Sequence, residues 1–298
     1  MASGVNNNDD VDAKSSSSGF LKSLGFGSEE QSSDVQLTSL AADSEYYDMT
    51  NKNRGVAIIL NHKEFKRMPT RLGTNKDRDR MEEVFKKIGF TVRTFDDLTR
   101  KEVRNILEKV AQENHSESDC LVVIVMTHGE TGYLYASDDS YKIDELWHEF
   151  IGNKCKSLIG KPKLFFVNAC RGEKFDHGVT YTRVFTDQVD SSAREVTYAI
   201  PSVADILVMY STFEGHYSWR NPENGSWFIE VLYEELKKYG TERDILTLLT
   251  GVNRKVAYEY QSNVPSNPKM DSKKQQPTIV SMLNKILYFT PKQLSNDK

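Results

Sequence analysis

The stretch "KLFFVNACRGE" (residues 163–173) runs apolar from Leu164 to Val167 and then stops. Asn168, a small residue, a cysteine, an arginine and a glycine follow. A short continuous apolar run reads as a strand covered on both faces, as in a parallel sheet flanked by helices. In such sheets ligands and reacting groups collect beyond the carboxyl ends of the strands. The strand therefore carries Cys170 to the working edge, where Arg171 and Gly172 turn the chain. A lone cysteine beside an apolar strand more often packs than reacts, so its surroundings must decide.

Those surroundings alternate strand and helix. "GVAIIL" (55–60), "CLVVIVMTHG" (120–129) and "DILVMYS" (205–211) are further apolar strands, and "FTVRTFDDL" (90–98) alternates as one. In "DRDRMEEVFKKIG" (77–89), Met81, Val84, Phe85 and Ile88 fall at helical spacing, with Gly89 as the stop. "TRKEVRNILEKVAQE" (99–113) opens on Thr99 as N-cap and carries Val103, Ile106, Leu107 and Val110 on one face. "KIDELWHEF" (142–150) reads as a short helix. The stretch 225–240 reads as a helix with Phe228, Val231, Leu232 and Leu236 inward. The stretch 241–261 reads as another with Thr241 as N-cap, and "PTIVSMLNKILYF" (277–289) as a strand. This order predicts an α/β fold with a mainly parallel sheet. His128 follows "LVVIVMT" directly, as Cys170 follows "LFFVNA". No other His/Cys pair occupies equivalent strand ends.

Composition narrows the function classes. Of 298 residues, 28% are charged and 38% hydrophobic, the balance of a soluble globular protein. No run approaches the ~18 apolar residues of a membrane span. "MASGVNNNDDVDAKSSSSG" is polar and acidic, unlike a secretory signal. Cys120, Cys155 and Cys170 show neither C-x-x-C nor zinc spacing, so no metal or other cofactor is expected and a reduced, cytoplasmic setting is. Residues 1–50 hold nine Asp/Glu and two Lys/Arg, which leaves the remainder slightly basic. No basic stripe suggests nucleic acid, and the balance suits an acidic peptide as substrate. Residues 1 to about 45 read as a disordered extension, within which "GFLKSLGF" (19–26) is an isolated apolar cluster. Residues 172–202 form a long irregular segment, unusual inside a compact domain.

An imidazole can take the proton of a thiol or stabilise its thiolate, which attacks a carbonyl carbon to form a thioester. Backbone N–H groups must hold the oxyanion, and glycines beside both residues let the backbone approach. "NACRG" resembles the caspase nucleophile signature, with a histidine upstream, here by 42 residues. "TRLGT" (70–74), "MTHGE" (126–130), "IPSVADIL" (200–207), "YSWRNPENGSWF" (217–228), "GTERDILTLLT" (240–250) and "TIVSMLNKILYF" (278–289) also resemble caspase segments, in family order from about residue 50 to 290. The chain is identified as similar to the effector caspases.

The resemblance implies a caspase-like, mainly parallel six-stranded sheet flanked by helices, and a cysteine endopeptidase that cuts after aspartate. It implies Cys170 as nucleophile, His128 as base, the N–H groups of Gly129 and Cys170 as oxyanion hole, and the Pro69 carbonyl as the group orienting the histidine. Arg71 and Arg220, with Ser218 nearby, match the clamp on the substrate carboxylate. Paired guanidiniums suit a carboxylate and reject neutral side chains. Tyr217 and Trp219 match the next subsite, and Asn221 and Trp227 the distal one. One position departs: the family's glutamine is Asn168, one methylene shorter, which predicts weakened carboxylate binding. A catalytically weak or silent caspase-like binding protein is the alternative, resting on Asn168 alone. A related peptidase of other specificity is opposed by the two arginines. A flavodoxin-like binding domain gives the long segment no role.

In the long segment "DQVD" (187–190) precedes Ser191, and in the tail "DDVD" (9–12) precedes Ala13. Both are D-x-V-D, and Asp190 and Asp12 are expected self-type cleavage sites. Asp187 and Asp43, ending "VFTD" and "LAAD", are rivals. The expected organisation is a short prodomain (1–45), a large subunit (46–187), a cleavable linker (172–202) and a small subunit (199–298). The short tail favours an effector over an initiator type. By resemblance, two large/small pairs form a homodimer through the last strand. An initiator caspase as activator and inhibitor-of-apoptosis proteins, for which a new Ala13 terminus is a docking candidate, are the implied partners beside protein substrates with exposed Asp sites.

Overall fold

A computed structural model describes residues 44–178 and 203–292. The cleavage positions Asp12, Asp43, Asp187 and Asp190, and nearly all of the expected prodomain and linker cut region, lie outside the described residues. The central sheet has six strands: β1 (Asn53–Asn61), β2 (Thr91–Asp96), β3 (Ser118–Met126), β7 (Lys163–Asn168), β8 (Ile206–Tyr210) and β11 (Thr278–Ser281). Their order is β11-β8-β7-β3-β1-β2. All neighbours are parallel except β11, which runs antiparallel to β8. The numbering gap holds a three-stranded antiparallel sheet of β4 (Gly129–Glu130), β5 (Tyr133–Tyr135) and β6 (Ser140–Lys142). A small hairpin of β9 (Arg220–Asn221) and β10 (Gly225–Ser226) follows β8. Sequence pattern marked neither, because strands of two or three residues carry no periodicity.

The apolar runs are continuous because the sheet is covered on both sides. Along β3, Cys120, Val122, Ile124 and Met126 face one core, with α1 (Thr74–Lys87), α3 (Trp227–Tyr239) and α4 (Ile245–Glu259). Leu121, Val123 and Val125 face the other, with α2 (Arg100–Gln112). Every residue of β3 is buried, as the two-residue side-chain period requires between two helical layers.

Helix ends follow local chemistry. Thr99 caps α2 in a reciprocal box with Glu102, as expected. Gly89 follows α1 with φ +101°. Two readings need correction. Residues 142–150 form not an α-helix but two 3-10 turns, Ile143–Leu146 and His148–Phe150, broken at Trp147. Lys142 belongs to β6, and the remainder is too short to repay helix nucleation. The last helix is capped not by Thr241 but by Asp244, whose side chain accepts from the Thr247 N–H at 3.0 Å. The stretch 277–289 is a strand only over its first third. Beyond it Leu287 and Phe289 return to the core, and Ile286 pairs with Tyr46. In the single chain β11 is the partly exposed edge of the sheet, with Val280 42% accessible. Among the described residues no helix is long and apolar enough to cross a membrane.

Replacing the true cap is the test of the helix boundary. Asp244→Ala is expected to lower unfolding free energy by about 1 kcal/mol, and Thr241→Ala to leave it within about 0.5 kcal/mol. Urea denaturation of the two variants measures both.

Candidate active site

Two adjacent parallel strands bring the thiol and the imidazole to the same level. β3 and β7 pair in register up to Met126 opposite Asn168, and the Thr127 N–H donates to the Asn168 carbonyl at 3.1 Å. His128 and Cys170 are each two residues past that last pair. Gly129 is required where the strands diverge. A Cβ there would lie 2.6 Å from the Cys170 carbonyl oxygen and 3.0 Å from the Ala169 Cβ.

His128 Nε2 lies 2.8 Å from the Pro69 carbonyl oxygen. A carbonyl only accepts, so Nε2 carries the proton and Nδ1 is left as the basic nitrogen. Burial lowers the imidazole's pKa, and the Pro69 hydrogen bond partly opposes this. The Phe65 ring packs 4.8 Å from the imidazole, centroid to centroid. The Cys170 sulfur accepts from the Ser218 N–H at 3.4 Å, and its thiol faces the Ser218 carbonyl at 3.8 Å. Burial raises the thiol's pKa, against the Ser218 N–H, Arg71 and Arg220, which lower it. Burial thus favours the uncharged forms of both groups, and the sulfur is tied to the Ser218 backbone on the approach to β9.

Arg71 is 2% exposed. Its Nη1 donates to Thr74 Oγ1 at 2.7 Å and to the His62 carbonyl at 3.0 Å, while Nε has no partner among the described residues. Burial first, then the neighbouring Arg220 charge, pull its pKa down to about 9. Arg220 donates from Nε to the Leu72 carbonyl at 2.9 Å, and burial lowers its pKa too. Among the described residues neither guanidinium is in a direct ion pair, and Arg71 Nε is unpartnered, an arrangement suited to a carboxylate. Asn168 is buried behind it and turned away, its Nδ2 donating to Ser226 Oγ at 2.9 Å.

A cleft of about 550 Å³ runs from His128 and Cys170 along Tyr217, Ser218, Trp219, Arg220 and Asn221 to Trp227. Arg71, Asn168, Pro69 and Gly129 lie outside its lining. Its aromatic wall is a stack: Phe175 on Tyr217 at 5.3 Å and Trp219 on Trp227 at 5.7 Å. Asn221 Oδ1 accepts from the N–H groups of Glu223 and Asn224, so its side chain holds the hairpin turn. Sequence reading missed the far wall, Gln261–Val264 and Met270, because that stretch has no periodicity. It also missed Gln275, which binds the Trp219 N–H at 2.6 Å and the Ser211 carbonyl at 2.7 Å, and Asp77 with Ser226 behind the pocket.

The resting thiol has a direct signature. Iodoacetamide should modify Cys170 selectively, since Cys120 and Cys155 are buried at 0% and 2% exposure. The rate should climb with pH above about 8 instead of levelling near about 6, as it does for a preformed thiolate. Peptide mass mapping across pH measures it.

The comparisons with known proteins identify the family. The family described as "Caspase domain" matches residues 54–288. The chain is 45% identical over 292 residues to Caspase-1 of Spodoptera frugiperda, covering 96% of each. It is 46% identical over 252 residues to Caspase drICE of Drosophila melanogaster, covering 84% of this chain and 74% of that one. The crystal structure of the Spodoptera frugiperda Caspase-1 superposes with a TM-score of 0.78 at 46% identity, covering 84% of this chain and 97% of that one. The chain belongs to the caspase family and is a cysteine-type endopeptidase of the effector type.

Proposed function

We propose that the enzyme cuts protein chains after aspartate, with Cys170 as nucleophile and His128 as general base. The observation that carries this reading is the buried Arg71 with the half-buried Arg220, set near the Cys170 thiol and, among the described residues, in no direct ion pair. His128 Nδ1 takes the thiol proton as sulfur attacks the carbonyl carbon after the substrate aspartate. The oxyanion is held by the N–H groups of Gly129 and Cys170. Collapse releases the amine, which receives the proton from His128. Water, deprotonated by His128, then hydrolyses the thioester and restores the thiol. Pro69 orients the imidazole throughout. Tyr217 and Trp219 wall the next subsite, and Asn221 and Trp227 border the distal one.

The same reading makes the chain a zymogen. Cleavage at Asp187 or Asp190 divides the large subunit (46–187) from the small subunit (199–298), and cleavage at Asp12 or Asp43 removes the prodomain. Ser218 and Arg220 then belong to the small chain, and Cys170 and His128 to the large one. The thiol's bonds to the Ser218 backbone support a resting precursor. The exposed edge of β11 supports a homodimer of large/small pairs, because an unpaired strand edge invites pairing. The setting is cytoplasmic and the outcome apoptosis, with an initiator caspase upstream and inhibitor-of-apoptosis proteins as regulators.

Asn168 supports a weaker enzyme than one with glutamine there, since its amide is spent on Ser226. A fluorogenic Asp-Glu-Val-Asp peptide tests both points on protein nicked between residues 172 and 202. Wild type should turn it over, an Asn-terminated analogue should be at least about 100-fold poorer, and Cys170→Ala should be inert. Asn168→Gln should raise kcat/KM several-fold. Equal turnover of the Asn analogue overturns the specificity. No turnover by nicked wild type favours the silent binding protein.

A further inference from the structure

Behind the pocket, Asp77 in the first turn of α1 has no exposed surface. Its carboxylate accepts from the Ser226 N–H at 3.0 and 3.1 Å and from the Ser226 hydroxyl at 2.7 Å. A hydroxyl has one proton to give. Ser226 gives it to Asp77, so its lone pair is what receives the Asn168 amide at 2.9 Å. The three side chains form one directed chain from Asn168, behind the cleft, to a buried carboxylate. The backbone is shaped to let it close: a Cβ on Gly225, at φ +89°, would sit 2.1 Å from Asp77 Oδ1.

The charges around Asp77 come from every element packed on it. Arg80, one turn along α1, approaches to 3.9 Å and is itself paired with Glu230 of α3 at 2.8 Å. Arg71, in the loop before α1, and Arg220, on β9, both feel the Asp77 charge, which favours their protonated forms. Neither arginine forms a direct ion pair with it among the described residues, so its influence acts through space. Burial outweighs these donors and cations and pushes the Asp77 pKa up to about 6.

We propose that Asp77 is a positioning residue for recognition of the substrate carboxylate: it orients the Asn168 amide through Ser226 and lends a buried negative charge to the surroundings of Arg71 and Arg220. This rests on the reading of those two arginines as the carboxylate clamp. Asp77 touches no substrate atom. Its loss leaves the repulsion between the Arg71 and Arg220 charges without that offset and the amide free to rotate.

The test separates binding from chemistry by using nicked protein carrying Cys170→Ala, titrated calorimetrically with an Asp-Glu-Val-Asp peptide at pH 7.5 and pH 5.5. Peptide carboxylates, with pKa near 4, stay ionised at both values. Affinity should fall about threefold from the higher pH to the lower as Asp77 takes up a proton. Adding Asp77→Asn, which keeps the shape but drops the charge, should weaken binding about tenfold at pH 7.5 and abolish the pH dependence. Ser226→Ala, which keeps the charge and breaks only the relay, should weaken binding less and retain the pH dependence. That arm stands even where Asp77→Asn does not fold. Unchanged affinity in Asp77→Asn, an unaltered pH dependence in it, or a lost pH dependence in Ser226→Ala overturns the inference alone. Failure of the Cys170→Ala protein to bind the peptide at all overturns the carboxylate-clamp reading and this inference with it.

Discussion

The site depends on one constraint: β3 and β7 are hydrogen-bonded neighbours in parallel register, closing at Met126 opposite Asn168. Parallel neighbours end at the same edge of a sheet, so the residues just past each end share one height. That places His128 and Cys170 together without any contact between the two segments in sequence. It also explains the burial of β3, because parallel strands joined by crossover helices are covered on both faces. A one-residue slip of β7 against β3 would move its whole apolar set to the wrong core and the thiol off the level of the imidazole.

Electrostatics then set the resting state. Burial disfavours charge on the thiol, the imidazole and both guanidiniums. The buried Asp77 carboxylate favours the charged forms of both guanidiniums through space. On the proposed reading the two guanidiniums receive the substrate carboxylate, and desolvated arginines discriminate between a carboxylate and its neutral isostere. The contacts of the Cys170 sulfur with the Ser218 backbone, on the segment that leads to Arg220, link readiness of the sulfur to the position of that segment.

Much of this was legible in the sequence. Continuous apolar runs at 120–126 and 163–167 mark the central strands, and their polar ends mark the working edge. The Thr99 box and Gly89 mark helix ends by local chemistry. What escaped depends on contacts remote in the chain. Asp77 reads as an ordinary charged residue in the first turn of a helix, and only the approach of Gly225 and Ser226 from 149 residues away buries it. Gln275 and the cleft's far wall lie in a stretch with no period. The Thr241 cap failed because two candidates, Thr241 and Asp244, precede the same apolar run, and tertiary packing of Ile245 selects the second. The 142–150 turns failed because helical spacing over nine residues does not outweigh a strand that takes Lys142.

The most direct measurement is covalent trapping. Nicked protein would be treated with an aspartyl halomethyl ketone peptide and, separately, with its asparaginyl counterpart, and analysed by intact mass and peptide mapping. The account predicts one adduct per chain from the aspartyl reagent, on Cys170, and little from the asparaginyl one. Labelling at another residue, or equal labelling by both reagents, would contradict the claim that a strand-end thiol and the Arg71–Arg220 pair act as one site.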